Sequence, residues 1–150
     1  MRIWTSIIFL LLFPIFSFSQ IKISDISNWK PIIEEAIELI KNTDRPKYDL
    51  LMENCNNIEF MIGDFSTTKP PKTIVINTRD MYLGSVNDVA SVLVHESYHL
   101  YLYSKVEKLK ESEEELICYK YEYDFLCKLP KVEGWLFKNV IDMIIFYSKK

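Results

Sequence analysis

Residues 91–100 read Ser91-Val92-Leu93-Val94-His95-Glu96-Ser97-Tyr98-His99-Leu100. They hold both histidines of the 150-residue chain, four positions apart, with a glutamate directly after the first. On an α-helix, positions i and i+4 project from one face, one turn apart. His95 and His99 can therefore aim both imidazoles at one point, while Glu96 sits on the flank, roughly 60° from His99 at ~100° per residue. Two imidazoles converging in this way suit two of the four positions around a tetrahedral zinc ion. A glutamate on the flank reaches a metal-bound water without becoming a ligand. The alternative is a pair of satisfied core histidines, because Val92, Leu102, Tyr103 and Val106 share the same face. In a chain with only two histidines, this spacing with the following glutamate arises by chance roughly one time in a thousand. The stretch is read as a metal-binding helix.

The pattern around it sets the fold class. Residues 27–42 carry an amphipathic stripe of Ile32, Ile33, Ala36, Ile37, Leu39 and Ile40, with Ser27 or Asn28 as cap and Pro31 in the first turn. A polar break over 41–47 ends that helix, and 48–55 predicts a second, short one. Residues 57–65 and 72–79 are rich in Ile, Val and Phe and predict two strands. With Ser66-Thr67-Thr68-Lys69-Pro70-Pro71 read as the loop between them, an antiparallel pair is expected. Ser85-x-x-Asp88 resembles a capping box for a helix from about 86 to 104. Residues 116–129 continue a helical pattern up to Pro130, and 134–147 predict a last apolar helix. The expectation is a single α+β domain over residues 20–150, with no repeats.

Residues 1–19 are set apart as a signal peptide. Arg2 gives a short positive region, 3–16 is almost wholly apolar, and Ser17-Phe18-Ser19 has the small-x-small pattern of a cleavage site. Cleavage after Ser19 leaves Gln20 as the new terminus of a secreted, periplasmic or cell-envelope protein. An uncleaved membrane anchor competes, but the run is short and Pro14 interrupts it. With 49% hydrophobic and 26% charged residues and a net charge of −3, neither nucleic acid nor an anionic membrane is implied as a partner. Cys118 and Cys127 fall ~13 Å apart on one helix, too far for a bridge. Any disulfide would join Cys55 to one of them, with Cys127 preferred; three reduced, buried cysteines are the equal alternative.

A catalytic zinc keeps three protein ligands and an open position for water. No histidine remains, so the third donor must be a carboxylate or Cys118. The candidates are Glu111, Glu113, Glu114, Glu115, Glu122 and Asp124. Leu116, Cys118, Tyr119, Tyr123, Leu126 and Leu129 define the apolar arc of the downstream helix. Glu115 and Glu122 fall near the middle of that arc, Glu114 at its edge, and Glu113 and Asp124 opposite. A carboxylate on a core-facing arc is costly unless paired or metal-bound. Ser112-x-x-Glu115 can also be read as a capping box, which would occupy Glu115 differently. If 86–129 were one continuous helix, Glu115 would lie ~24 Å from His99. A shared metal therefore requires a reversal within 104–114.

On the stretch Val92–Leu100 the chain resembles the zincin metallopeptidases, with His95 and His99 at the zinc-binding positions and Glu96 at the catalytic glutamate position. The resemblance covers about residues 58–126 and includes strands ahead of the motif helix, which in zincins supply an edge strand that pairs with extended substrate. Leu102 and Lys105 stand where metzincins carry a glycine and a third histidine, so that branch is excluded. Residues 114–122 resemble the Glu-x-x-Ala stretch of gluzincin-like proteins, with Glu115 at the ligand position and Cys118 in place of the alanine. Tyr119 falls at the thermolysin-like spacing, so the likeness is to shorter-spacer relatives. The resemblance implies a zincin-like fold: a small antiparallel sheet, an active-site helix, and a second helix bearing the third ligand. It implies Zn2+ held by His95, His99 and Glu115, with Glu122 the second choice for the third position. Glu96 would act as general base in hydrolysis of a peptide or protein substrate, and Tyr98, Tyr103, Tyr119 and Tyr123 are candidates for oxyanion stabilisation. The alternative is a non-catalytic zinc-binding or protein-binding domain on the same scaffold.

Overall fold

The computed structural model describes residues 20–24, 29–63, 65–78, 85–105 and 109–150. The leader read over 1–19 and the cap at Ser27 or Asn28 lie outside the described residues. Helix α1 (Trp29–Thr43) buries Trp29, Ile33, Ala36 and Ile40 on one stripe. Helix α2 (Arg45–Asn54) starts at once, so the expected polar break shrinks to Asp44. The Asp44 carboxylate accepts from the Lys47 N–H at 3.3 Å, and Pro46 occupies the first turn, where its missing N–H has no partner to lose.

Four strands follow the order β1-β2-β4-β3: β1 (Lys22–Ile23), β2 (Asn57–Met61), β3 (Thr67–Lys69) and β4 (Thr73–Asn77). The expected antiparallel pair is in fact parallel, with Ile58 opposite Ile74 and Phe60 opposite Ile76. The reason lies in the stretch read as a loop. Thr67–Lys69 is itself an edge strand, antiparallel to β4, with Thr68 opposite Ile74. The chain thus leaves β2, crosses to the far side of β4, and turns back at Pro70 and Pro71 into β4. The prolines mark the turn, while the β-branched threonines before it extend the sheet. The sheet is mixed. At the end of β4, Asn77 Oδ1 accepts from the Gly63 N–H at 3.0 Å and the Asn77 N–H donates to Ser66 Oγ at 2.9 Å. Those two bonds pin the crossover segment beside the motif helix.

Helix α3 (Val86–Lys105) is buried around most of its circumference, with Asp88, Ser91, His95, Glu96 and Ser97 among the buried residues. It packs against α1, α2 and the sheet, and Leu93, Val94 and Leu100 join the central core with Ile58, Ile74 and Phe125. Each such side chain stabilises the fold by roughly 1.5–3 kcal/mol. Ser85 Oγ accepts from the Asp88 N–H at 3.2 Å, as the capping pattern predicts. The required reversal is present: α3 ends at Lys105, and α4 (Glu111–Leu126) returns against it. Helix α4 is entered from Lys110 with no side-chain cap, so the capping role considered for Ser112 is not taken. Its first-turn Glu111, Glu113 and Glu114 face the positive end of the helix dipole. It stops at Leu126, short of the expected run to Pro130.

Helix α5 (Gly134–Tyr147) buries Leu136 and Val140. Just ahead of it, Glu133 accepts from Ser85 Oγ at 2.7 Å and Asn87 Nδ2 at 2.9 Å, tying α5 to the start of α3. The architecture is α+β, with five helices and a four-stranded mixed sheet among the described residues. Within them, no helix is long and apolar enough to cross a membrane. The Cys55–Cys127 bridge is not formed: all three cysteines are free. Cys55 is buried and its thiol donates to the Asn57 carbonyl at 3.2 Å, whereas Cys127 is exposed at the end of α4.

Candidate metal centre

The site forms where α3 and α4 face each other. His95 and His99 lie on one side of α3 with their Nε2 atoms 3.1 Å apart. The other nitrogen of each ring is held by a carboxylate from α4. Glu122 Oε2 stands 2.9 Å from His95 Nδ1, and Glu114 Oε1 stands 2.7 Å from His99 Nδ1. A carboxylate only accepts, so each Nδ1 carries a proton and each Nε2 is the nitrogen turned toward the other ring and Glu115. Ser91 donates to the second oxygen of Glu122 and fixes it in place.

Glu115 completes the convergence. Its two oxygens lie 3.5 Å from His95 Nε2 and 3.5 Å from His99 Nε2. The two Nε2 atoms and the Glu115 carboxylate thus meet at one point, a grouping of the kind that can hold a cation. The donor chemistry, two imidazole nitrogens and a carboxylate, fits zinc. Burial disfavours charge on His95, but hydrogen bonds to Glu115 and Glu122 outweigh it and push its pKa up to about 10. The same balance raises His99. Burial also works against charge on Glu115, yet hydrogen bonds from both histidines hold its pKa down to about 2.

Glu96 is buried on the flank, and burial raises its pKa despite the two histidines. That gives its carboxylate more affinity for a proton than an exposed one has. Cys118 lies one turn beyond Glu115, with its sulfur within 4.8 Å of donor nitrogens of both histidines. Burial, reinforced by the surrounding glutamates, pushes its thiol pKa upward. Of the remaining sequence candidates, Asp124 points away to Lys47 and Lys128.

Two hollows that share lining residues flank Glu96 and Glu115. One, of ≈ 420 Å³, runs toward α5 and is walled by Val92, Tyr119, Trp135, Leu136, Met143 and Tyr147. The other, of ≈ 300 Å³, runs along Thr67 and Thr68 of β3 and past His99 and Glu114. Phe65 and Ser66 border both. Among the tyrosines, Tyr119 lines the first hollow with its ring 4.3 Å from that of His95. Tyr98 stacks on Tyr121, Tyr123 packs on Phe137, and Tyr103 is exposed. Tyr147, which sequence reasoning left within an apolar helix, stacks on Tyr119 and joins the wall. Glu114 and Glu122, both candidates for the third ligand, meet the Nδ1 atoms instead, because helix phase ranks a residue by face and not by which imidazole nitrogen it meets. Comparison with protein-family models, with curated proteins and with solved structures finds no match.

Proposed function

We propose that this protein is a secreted, zinc-dependent peptidase of zincin type. The observation that carries the reading is the meeting of His95 Nε2, His99 Nε2 and the Glu115 carboxylate beside the buried Glu96. His95, His99 and Glu115 would hold the ion. Zinc supplies Lewis-acid polarisation of a carbonyl and a lowered pKa for water. Glu96 takes a proton from the attacking water and delivers it to the leaving amine, a transfer helped by its raised pKa. Glu122 and Glu114 keep the imidazoles oriented with Nδ1 protonated. The cleft supports a peptide as substrate: β3 is the terminal strand of the sheet and borders it, which resembles the way zincins receive extended chains. The secreted location rests on residues 1–19.

The test is Glu96→Gln in zinc-loaded protein, assayed against a quenched-fluorescent peptide library. Hydrolysis by the wild type and its loss in the variant, at equal zinc content, is the expected result. Equal turnover in the two proteins sinks the mechanism. No turnover by either leaves the non-catalytic zinc-binding domain as the better reading.

A further inference from the structure

The side of α4 that faces the histidines carries Glu115, Cys118 and Glu122, at i, i+3 and i+7 of one helical stripe. Glu122 is committed to His95 Nδ1 and Ser91, and Glu115 meets both Nε2 atoms. Cys118 stands between them in sequence, fully buried, with its sulfur within 4.8 Å of donor nitrogens of both histidines. Cys55 makes a useful contrast, since its buried thiol donates to a backbone carbonyl. We infer that Cys118 is a fourth protein donor, so that the resting ion is enclosed by His95, His99, Glu115 and Cys118.

This rests on the metal-site reading above and extends it. In a tetrahedral zinc site with sulfur at ~2.3 Å and nitrogen at ~2.0–2.1 Å, donor atoms stand about 3.3–3.6 Å apart. The two nitrogens at 3.1 Å and the Glu115 oxygens at 3.5 Å lie close to that spacing, and the sulfur needs to close by up to roughly 1.2 Å. On binding, the thiol loses its proton to solvent and the sulfur forms the bond to the ion in its place. A thiolate donor also selects zinc over magnesium or calcium. Four protein donors leave no place for water, the condition of a closed site. Hydrolysis then requires Cys118 to give up its position and regain a proton, so that release slows wild-type turnover and Cys118→Ala opens the fourth position.

The experiment loads wild type, Cys118→Ala, Glu115→Ala and Cys127→Ser with Co2+ in place of zinc and records near-ultraviolet absorption. A thiolate-to-cobalt charge-transfer band is expected in wild type, Glu115→Ala and Cys127→Ser, and its loss is expected in Cys118→Ala. Loading should release on the order of one more proton per ion from wild type than from Cys118→Ala. Absence of the band in wild type overturns the inference, as does a band that survives Cys118→Ala and vanishes in Cys127→Ser. Peptide turnover is read on the zinc forms. Faster turnover in Cys118→Ala than in wild type supports a slow release of Cys118, and equal turnover overturns it. A band with no turnover in any form keeps Cys118 as a ligand and removes the peptidase reading.

Discussion

Glu122 and Glu115 grip opposite nitrogens of one imidazole. Glu122 Oε2 lies 2.9 Å from His95 Nδ1, while Glu115 Oε2 lies 3.5 Å from Nε2. On the proposed metal site, the pairing separates a donor to the ion, Glu115, from a residue that orients a donor, Glu122. Glu122→Ala should weaken zinc binding about 10–100-fold, the usual cost of losing an outer-shell carboxylate, and Glu115→Ala should weaken it more. Chelator competition on the two variants measures both. The reverse ranking would exchange their roles.

How far the sequence carried is visible in this same pair. Helix phase put Glu115 and Glu122 on the core-facing arc, and the demand for a shared metal forced a reversal within 104–114. Both are present, with α3 and α4 packed face to face. Phase could not say which carboxylate meets Nε2, because that depends on how far α4 has returned along α3. The sheet was less legible. Thr67–Lys69 lies beside two prolines and is only three residues long, so its strand character comes from pairing with β4 and not from any local pattern. Once that edge strand was missed, the direction of β2 against β4 followed wrongly. The Cys55–Cys127 bridge failed for a similar reason, since spacing excludes pairs but cannot bring two distant elements together.

Glu133 is where the far wall of the cleft is fastened. It accepts hydrogen bonds from Ser85 and Asn87, and those from Asn87 foremost hold its carboxyl below the usual range. Glu133→Ala should cost ~1–2 kcal/mol of stability through the two lost bonds. It should also raise KM for peptides by loosening α5, while zinc content stays at the wild-type level. Denaturant titration and steady-state kinetics on one preparation read both effects. Loss of zinc in this variant would show that α5 supports the centre directly.

The ≈ 420 Å³ hollow offers an independent check on the cleft. Its α5 wall carries Trp135, Leu136, Met143 and Tyr147, and it is of the size that accepts one large side chain. Asn139 lines it from α5 and is not one of the proposed donors, so Asn139→Trp should fill the space and leave the ion in place. Peptides with a bulky apolar residue next to the scissile bond should lose kcat/KM, and peptides with alanine there should lose little. An equal loss for both would mean that the hollow does not receive that side chain.

Away from the centre, Asp44, Lys47, Asp124 and Lys128 fasten α2 to α4, and the Lys47 ammonium also lies 3.3 Å from the Tyr121 ring centroid. The hydrogen bond from Lys128, with that from Lys47, holds the Asp124 carboxyl below its ordinary value. Its contribution to stability is therefore complete above the unfolded pKa of about 3.9 and is lost as pH falls through the lower folded value. Lys128 is shifted the other way, upward, by hydrogen bonds to Asp44 and Asp124. Its contribution is complete below the unfolded pKa of about 10.4 and is lost as pH rises through the higher folded value. Asp124 is more than half exposed, so solvent screening keeps its share small. Asp124→Asn should be slightly less stable than wild type at pH 7, and the difference should shrink as pH falls below about 4. Denaturant midpoints for both proteins across that range measure the effect, with histidine protonation cancelling in the difference. A gap that stays constant down to pH 2 would show that the Asp124 charge contributes nothing to the clasp.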